Sequence, residues 1–452
     1  MIGSHEHFNS FCMDSQLMTQ PAFQLEAEQL LNNRVHPLNE SNDLDPIMKK
    51  IGDARIVMLG EASHGTHEYY TWRSEITKRL IRLKGFNFIA VEGDWLDCYA
   101  INRYIKNYTD EKAFSVLKQF KRWPTWMWAN WEVLALAEWL AQHNASLQSK
   151  HKIGFYGLDV YSLWESFEEI ANYLKKVDPA ALAVAQKAFQ CFELYKEDEG
   201  QSYALATQLV PRTYEDEVVN TLKSSRQRMA NYDHDYENSF SLEQNALIAV
   251  NAEKHYRAMM RGGAASWNVR DAHMHETLKR LLDFHGPHTR VIVWAHNTHI
   301  GDASQTDMRD DGMFNIGELA RKDFPGKAVL IGFGSGKGSV VAGRNWGAPM
   351  QRMSMPQGRE GSWEDLMHNT KFENKIVISS EIEHPLFLDN AIGHRAIGVV
   401  YNPHAEPLGN YVPSIIPRRY DAFIYLDETM ALHPIALHPD EGETPDTYPF
   451  GV

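Results

Sequence analysis

Short unbroken apolar runs recur along this chain, and segments of helical period separate them. Runs at Arg55–Leu59, Phe86–Val91, Lys152–Leu158, Arg290–Ala295 and Ala328–Phe333 read as strands. They do not alternate with polar residues, which suits strands covered on both faces. Further strands are expected at Ser339–Ala342, Lys375–Ser379, Ala396–Tyr401 and Ala422–Leu426. Between them, Trp72, Ile76, Leu80 and Leu83 mark one face of a helix from about Thr66 to Lys84. Other helices are expected through Cys98 to Tyr104 and over Glu132–Gln148, with a short helix and link over Phe23–Leu38. Asp43–Ile51 reads as a helix with Asp45 and Pro46 as its start. Strand and helix in alternation predict an α/β fold, a largely parallel sheet flanked by helices. From about 161 to 286 only helical period is visible, which predicts a helical insertion or cap. Within it, Asn268-Val269-Arg270-Asp271 precedes a helix that Asp271 can cap. Residues 1–20 read as a disordered tail and 21–452 as one domain. From about Glu428 the chain, rich in Pro, Asp and Glu, reads as a trailing surface tail.

The apolar runs share a second property: each is followed by ionisable or hydroxyl residues. Glu61 and His64 follow the first, between the turn-forming Gly60 and Gly65. Glu92 and Asp94 follow the second, Asp159 the third, His296 and His299 the fourth, and Ser335 the fifth. In a parallel sheet these positions share the carboxyl edge, where ligands bind. Burying a carboxylate or an imidazole is costly unless it is paired or solvated in a cleft. Familiar motifs fail here. The stretch Gly332–Gly338 lacks the first glycine and final Ser/Thr of a phosphate loop. No glycine precedes Ser335 at nucleophile-elbow spacing, and Thr71 stands where a zincin would have its second histidine. Two chemistries remain: a carboxylate-held histidine that activates water, or Glu and His ligands to a divalent metal. The run Asp233-His234-Asp235 reads as a solvated turn, and His273 and His275 do not share a helix face. The tryptophans of Trp123–Trp131 read mainly as core, with Trp95 and Trp128 as candidate walls of an apolar pocket.

Composition narrows the field. A formal net charge of −14 and the absence of a basic run argue against nucleic acid. Cys12, Cys98 and Cys191 are too sparse for a disulfide framework or a zinc site and fit a reducing cytoplasm. No signal-like start or membrane-spanning apolar stretch is visible.

Gly60-Glu61-Ala62-Ser63-His64-Gly65, Arg73, Glu92-Gly93 and Trp294-Ala295-His296-Asn297-x-His299 together resemble the erythromycin esterase family, as do Gly157-Leu158-Asp159 and Arg270-Asp271. The resemblance covers roughly Asn39 to Asp427. It implies an α/β domain with a helical insertion and hydrolysis of the macrolactone ester of a macrolide, or of a related ester, without a cofactor or metal. It implies that His64 is the general base, that Glu61 holds or polarises it, and that Arg73 orients groups or stabilises charge. Glu92 would be a second essential carboxylate and His296 a further catalytic histidine. His299, Arg270 and Asp159 would contact the substrate. Plainer readings stand beside these: Arg73 pairing with an acid, Glu92 capping a helix, Asp159 as structural. The expected partner is a small molecule in the cytoplasm. Two rivals remain: a metal-dependent hydrolase using Glu61, His64, Glu92 and His296, and a non-catalytic polysaccharide-biosynthesis accessory protein.

Overall fold

The protein is described by a computed structural model covering residues 20–180, 182, 183, 185, 186, 189, 236–259 and 261–435. Its strands are β1 (Val35–Pro37), β2 (Ile56–Leu59), β3 (Phe88–Val91), β4 (Gly154–Gly157), β5 (Val291–Trp294), β6 (Ala328–Ala342), β7 (Gln351–Met355), β8 (Lys375–Ile378), β9 (Ile392–Arg395), β10 (Tyr411–Ser414) and β11 (Ala422–Thr429). Among the described residues they form a nine-stranded sheet in the order β1-β8-β11-β6-β2-β5-β3-β4, with β7 added to β6. The run from β11 to β4 is parallel. β1, β8 and β7 join antiparallel, and β9 and β10 form a separate hairpin-like pair.

The unbroken apolar runs have a direct cause. Val57, Leu59, Ile89, Val91, Ile292 and Trp294 face one hydrophobic layer, which the helices Asp45–Ile51, His67–Lys84 and Trp131–Ala145 cover. Their neighbours Ile56, Met58, Phe88, Ala90, Val291 and Val293 face a second layer. The helices Gln20–Asn32, Ala264–His285, Ile316–Asp323 and Trp363–His368 cover that one. With both faces buried, no position in these strands is left for a polar residue. Between 161 and 286 the described segments are the helices Leu163–Val177, Tyr236–Met259 and Ala264–His285. The first two share an apolar cluster of their own, including Leu163, Phe167, Ile170, Leu174, Ala249 and Tyr256.

Several expectations need correction. β1 lies where a link was expected; it is short, contains Pro37 and takes an edge position, where a missing N–H is tolerated. Ser339–Ala342 is not a separate strand but the end of β6, which runs straight through its glycines. Those glycines do not form a loop; they make room for rings, since a Cβ on Gly332 would come within 2.6 Å of Tyr420 and one on Gly334 within 2.6 Å of Phe423. Residues 396–401 make only isolated bridges, and the strand lies earlier, at β9. Arg270 and Asp271 sit inside the helix Ala264–His285, whose first residue follows Gly263, so Asp271 is not its cap. The end of the chain is not a surface tail as far as residue 435: Ala431 and Leu432 are buried in the first core layer. Residues 1–19 of the expected tail, and Asp233-His234-Asp235, lie outside the described residues.

Candidate active site

The parallel strands deliver Glu61 and His64 (after β2), Glu92 and Asp94 (after β3), Asp159 (after β4) and His296 and His299 (after β5) to one edge. Backbone hydrogen bonds continue past the strand ends and knit these loops together. The Glu92 N–H donates to the Trp294 carbonyl (2.9 Å), Asn297 N–H to Glu61 (2.8 Å) and Asp159 N–H to Gly93 (3.1 Å). Every one of these site residues is therefore on a stiff support.

His64 and Glu61 are each 2% exposed. The His64 Nδ1 lies 2.9 Å from Glu61 Oε1. A carboxylate only accepts, so Nδ1 carries a proton, and in the neutral ring Nε2 is the nitrogen with the lone pair. Arg73 Nη2 donates to the other Glu61 oxygen at 2.6 Å. Its guanidinium carbon lies 4.3 and 4.6 Å from the ring centroids of Tyr70 and Trp294. Arg73 is fully buried and does not line the cavity beside His64. It reaches the site through Glu61 and acts as a positioning residue.

His296 lies beside His64, with ring centroids 4.9 Å apart. Its Nδ1 accepts from the Thr298 N–H and lies 2.8 Å from the Thr298 hydroxyl, so the ring proton is on Nε2. That Nε2 is buried and has no hydrogen-bond partner. Burial first, then the neighbouring His64, holds His296 well below the usual histidine range, against Glu92 and the Ala62 carbonyl. His296 is thus a neutral N–H donor, not a positive charge.

The remaining residues form one network. Arg270 donates to both oxygens of Asp159, from Nε at 2.9 Å and Nη2 at 2.7 Å, and Nη2 also donates to Glu92 at 2.7 Å. The second Glu92 oxygen accepts the His296 backbone N–H at 2.8 Å. Burial would raise Glu92, but His299, Arg270 and His64 hold it well below the usual carboxylate range. His299 Nδ1 donates to Asp271 at 3.0 Å, while its Nε2 is 2.9 Å from Arg270 Nη1 and 3.3 Å from Glu92. Burial opposes the charge on His299, yet Asp271 and Glu92 outweigh it and raise the imidazole to about 9. In that charged form Nε2–H would face Glu92 but stand 2.9 Å from Arg270 Nη1, which only donates; the hydrogen bond from Arg270 needs the neutral ring, with its proton on Nδ1 toward Asp271. Its ring stacks on Trp267 with centroids 4.5 Å apart.

A cavity of about 70 Å³ opens beside His64. Glu92, Asp94, Asp159, Arg270, Tyr161 and Trp128 contribute to its walls, and Phe120, Trp123 and Trp346 add apolar surface. The structure brings together all eight residues singled out from the sequence. It separates them into His64, Glu92, Asp159 and Arg270 at the cavity and Glu61, Arg73, His296 and His299 behind it. Of the two tryptophans considered for a pocket wall, Trp128 has that place; Trp95 is core, stacked on Tyr156. Glu61, His64, Glu92 and His296 do not bring ligand atoms from three residues within 4.8 Å of one another, and their carboxylate oxygens are held by Arg73, His64, Arg270 and backbone N–H.

Two participants were not on the sequence list. Asp271, expected as a helix cap and as part of the Arg270-Asp271 motif, pairs with His299, 28 residues on. Asp94 was visible after β3 but carried no motif. Its Oδ1 is buried without a partner, and burial pushes the carboxyl up to about 7 despite Arg122.

Fold and cluster together define an α/β protein with a carboxylate-backed histidine at the carboxyl edge of a parallel sheet. A profile of the erythromycin esterase family matches residues 81–429. The chain is 23% identical over 382 residues to erythromycin esterase type II of Escherichia coli, covering 78% of this chain and 87% of that protein. It has the fold of a solved succinoglycan biosynthesis protein (TM-score 0.73, 18% identity, 91% of this chain and 98% of that one). It also has that of an erythromycin esterase EreC mutant in its open conformation (TM-score 0.63, 14% identity, 88% and 97%). The chain belongs to the erythromycin esterase family, and that membership points to a hydrolase. The profile begins after Glu61, His64 and Arg73, so the reading of these three rests on their geometry.

Proposed function

We propose that this protein is a carboxylic ester hydrolase of the erythromycin esterase type, which opens the lactone of a macrolide or a related ester with water activated by His64. The observation that carries the reading is the Arg73–Glu61–His64 chain, which leaves a basic His64 Nε2 beside a cavity. In this reading His64 Nε2 takes a proton from water as the water attacks the ester carbonyl. Glu61 fixes the tautomer and stabilises the imidazolium that forms, and Arg73 holds Glu61 in place. His296, outside the cavity lining, backs the His64 ring. Asp94, protonated near neutral pH, supplies the proton to the departing alkoxide. Glu92, Asp159, Arg270 and His299 satisfy one another, and they shape and orient the cavity wall.

The cavity has room for a few water molecules or the acyl end of a substrate. A macrolide ring would rest outside it, against Phe120, Trp123 and Trp346. The test is mass spectrometry of a macrolide panel and of short-chain esters after incubation with the protein. The expected product is heavier than its lactone by one water, and His64→Ala abolishes it while circular dichroism stays native. Turnover at the wild-type rate in that variant would remove His64 as the base. Hydrolysis of short esters without macrolide cleavage would keep the chemistry and discard the macrolide.

A further inference from the structure

Away from the cavity, three elements bring a histidine, a glutamate and a second histidine to one point. His67 is the first residue of the helix His67–Lys84 and follows the loop that carries Glu61 and His64. Glu132 is the second residue of the helix Trp131–Ala145, next to its Asn130 cap. His433 lies on the final described segment, 430–435. Backbone hydrogen bonds lay that segment against both helix starts: His67 N–H to Met430 (2.8 Å), Leu432 N–H to Gly65 (2.9 Å), Trp131 N–H to His433 (3.0 Å) and Ile435 N–H to Ala129 (2.8 Å).

The side chains converge closely. His67 Nδ1 is 2.5 Å and His433 Nδ1 is 2.6 Å from the same oxygen, Glu132 Oε1. The two rings stand nearly perpendicular, 84° apart, with centroids separated by 5.2 Å. One donor atom from each residue falls within 4.8 Å of the others, and no other group of described residues does this. Glu132 is 8% exposed, and its Oε2 is buried with no hydrogen-bond partner. A buried carboxylate with one oxygen crowded by two imidazoles and the other unsatisfied is a poor hydrogen-bonded cluster. It is a good ligand set.

We propose that His67, Glu132 and His433 bind a divalent transition metal ion of the zinc class, which staples the 430–435 segment to the loop behind the candidate active site. Two imidazole nitrogens and one carboxylate suit a borderline ion; calcium or magnesium would require more oxygens. The two Nδ1 atoms bind as neutral lone pairs, so their rings keep the proton on Nε2. Three protein ligands leave a position for water, and the His433 side chain, 56% exposed, lies on the open side of the site. None of the three residues lines the His64 cavity, so the ion is a structural one. Its effect on His64 runs through Gly65, which accepts the Leu432 N–H. The proposal is independent of the substrate.

The test uses the full chain, stripped with chelator, dialysed and titrated with Zn²⁺ alone by calorimetry, with elemental analysis after desalting. One zinc per chain is expected, with a rise in melting temperature. His433→Ala, at an exposed position, and Glu132→Gln should each weaken zinc binding at least tenfold and abolish the thermal shift. His64→Ala should bind zinc as the wild type does. Co²⁺ in place of Zn²⁺ should give the visible bands of a four-coordinate site in the wild type and lose them in His433→Ala. No zinc uptake by the wild type would overturn the proposal. So would uptake that survives His433→Ala and Glu132→Gln, or uptake that is lost in His64→Ala.

Discussion

At the scale of single residues, roles divide by which atoms remain unsatisfied. Glu92 and Asp159 are fully occupied by Arg270 and backbone N–H groups, which makes them supports. His64 Nε2 and Asp94 Oδ1, both at the cavity, have lone pairs or protons to offer; His296 Nε2 and the Nε and Nη1 of Arg73 are unpartnered as well but lie behind it. Arg73 lies one step back. Arg73→Lys keeps a positive charge beside Glu61 but loses the guanidinium contacts with the Tyr70 and Trp294 rings. Its kcat should fall on the order of tenfold to a hundredfold with KM little changed, as for outer partners that hold a site histidine elsewhere. Steady-state kinetics on any ester the protein cleaves will check this, and a change confined to KM would place Arg73 at the substrate. Asp94 gives a pH signature. Its carboxyl, raised to about 7 by burial, holds its proton below that pH and loses it above. Turnover limited by leaving-group protonation therefore declines as pH rises through 7. Asp94→Asn should lower kcat at pH 6 and flatten that alkaline limb; an unchanged limb would assign it to another group.

At the scale of elements, β2 is the pivot. It lies between β5 and β6, so the loop after it touches the ends of both neighbours. Gly65 marks the tightest contact. Val341 N–H donates to the Gly65 carbonyl at 3.0 Å, and a Cβ on Gly65 would overlap the Val341 carbonyl. Gly65→Ala should therefore push the loop off β6 and lower stability by about 2–4 kcal/mol, in the range of strained or overpacked sites. Thermal melts will show it, with a loss of turnover larger than the loss of folded protein because His64 is the residue before. This element was legible in sequence as far as its ends: an apolar run, a glycine, a carboxylate, a histidine, a glycine. Its counterpart in β6 was not. Gly334 and Gly336, beyond the expected strand Ala328–Phe333, look like loop residues by composition, and only Phe423 and Tyr425 packed over them explain a strand there. Residues 430–435 look like a surface tail for the same reason: their partners lie at 65, 67, 129 and 131.

At the scale of the whole molecule, buried histidines tie the described helices between 236 and 285 to the rest. His255 and His273 lie between the helices Tyr236–Met259 and Ala264–His285, where Asn251 meets His273 at 3.0 Å. His285 stacks on Phe88 of β3 at 4.7 Å. Burial lowers all three to about 4. The unfolded chain takes up their protons near the usual 6.5 and the folded chain only near 4. Stability from these groups is complete above 6.5 and is lost as pH falls through 4, at up to about 1.4 kcal/mol per pH unit per group. Asp94 and Asp97, raised by burial to about 7 and 6, act in the opposite sense. The comparison that isolates the histidines is His285→Gln against wild type. Its melting temperature should gain on the wild type between pH 6.5 and 4, and a constant difference across that range would mean that His285 does not titrate on unfolding.

The α/β class, the parallel core and the edge on which the ionisable residues gather follow from local patterning, because burial on both faces forces unbroken apolar strands and leaves their ends as the only polar positions. The family motifs in the sequence mark the same residues. Which of those residues face a cavity was beyond the sequence. The Arg73–Glu61–His64 chain spans only 13 residues, but its burial, the Asp271–His299 pair, the neutral state of His296 and the raised carboxyl of Asp94 each depend on packing by other strands and helices. The same holds for His67, Glu132 and His433, which lie 65 and 301 residues apart along the chain and meet only because the last described segment is laid between two helix starts. Charge states and ligand sets are properties of distance in space, and only the tertiary structure sets that distance.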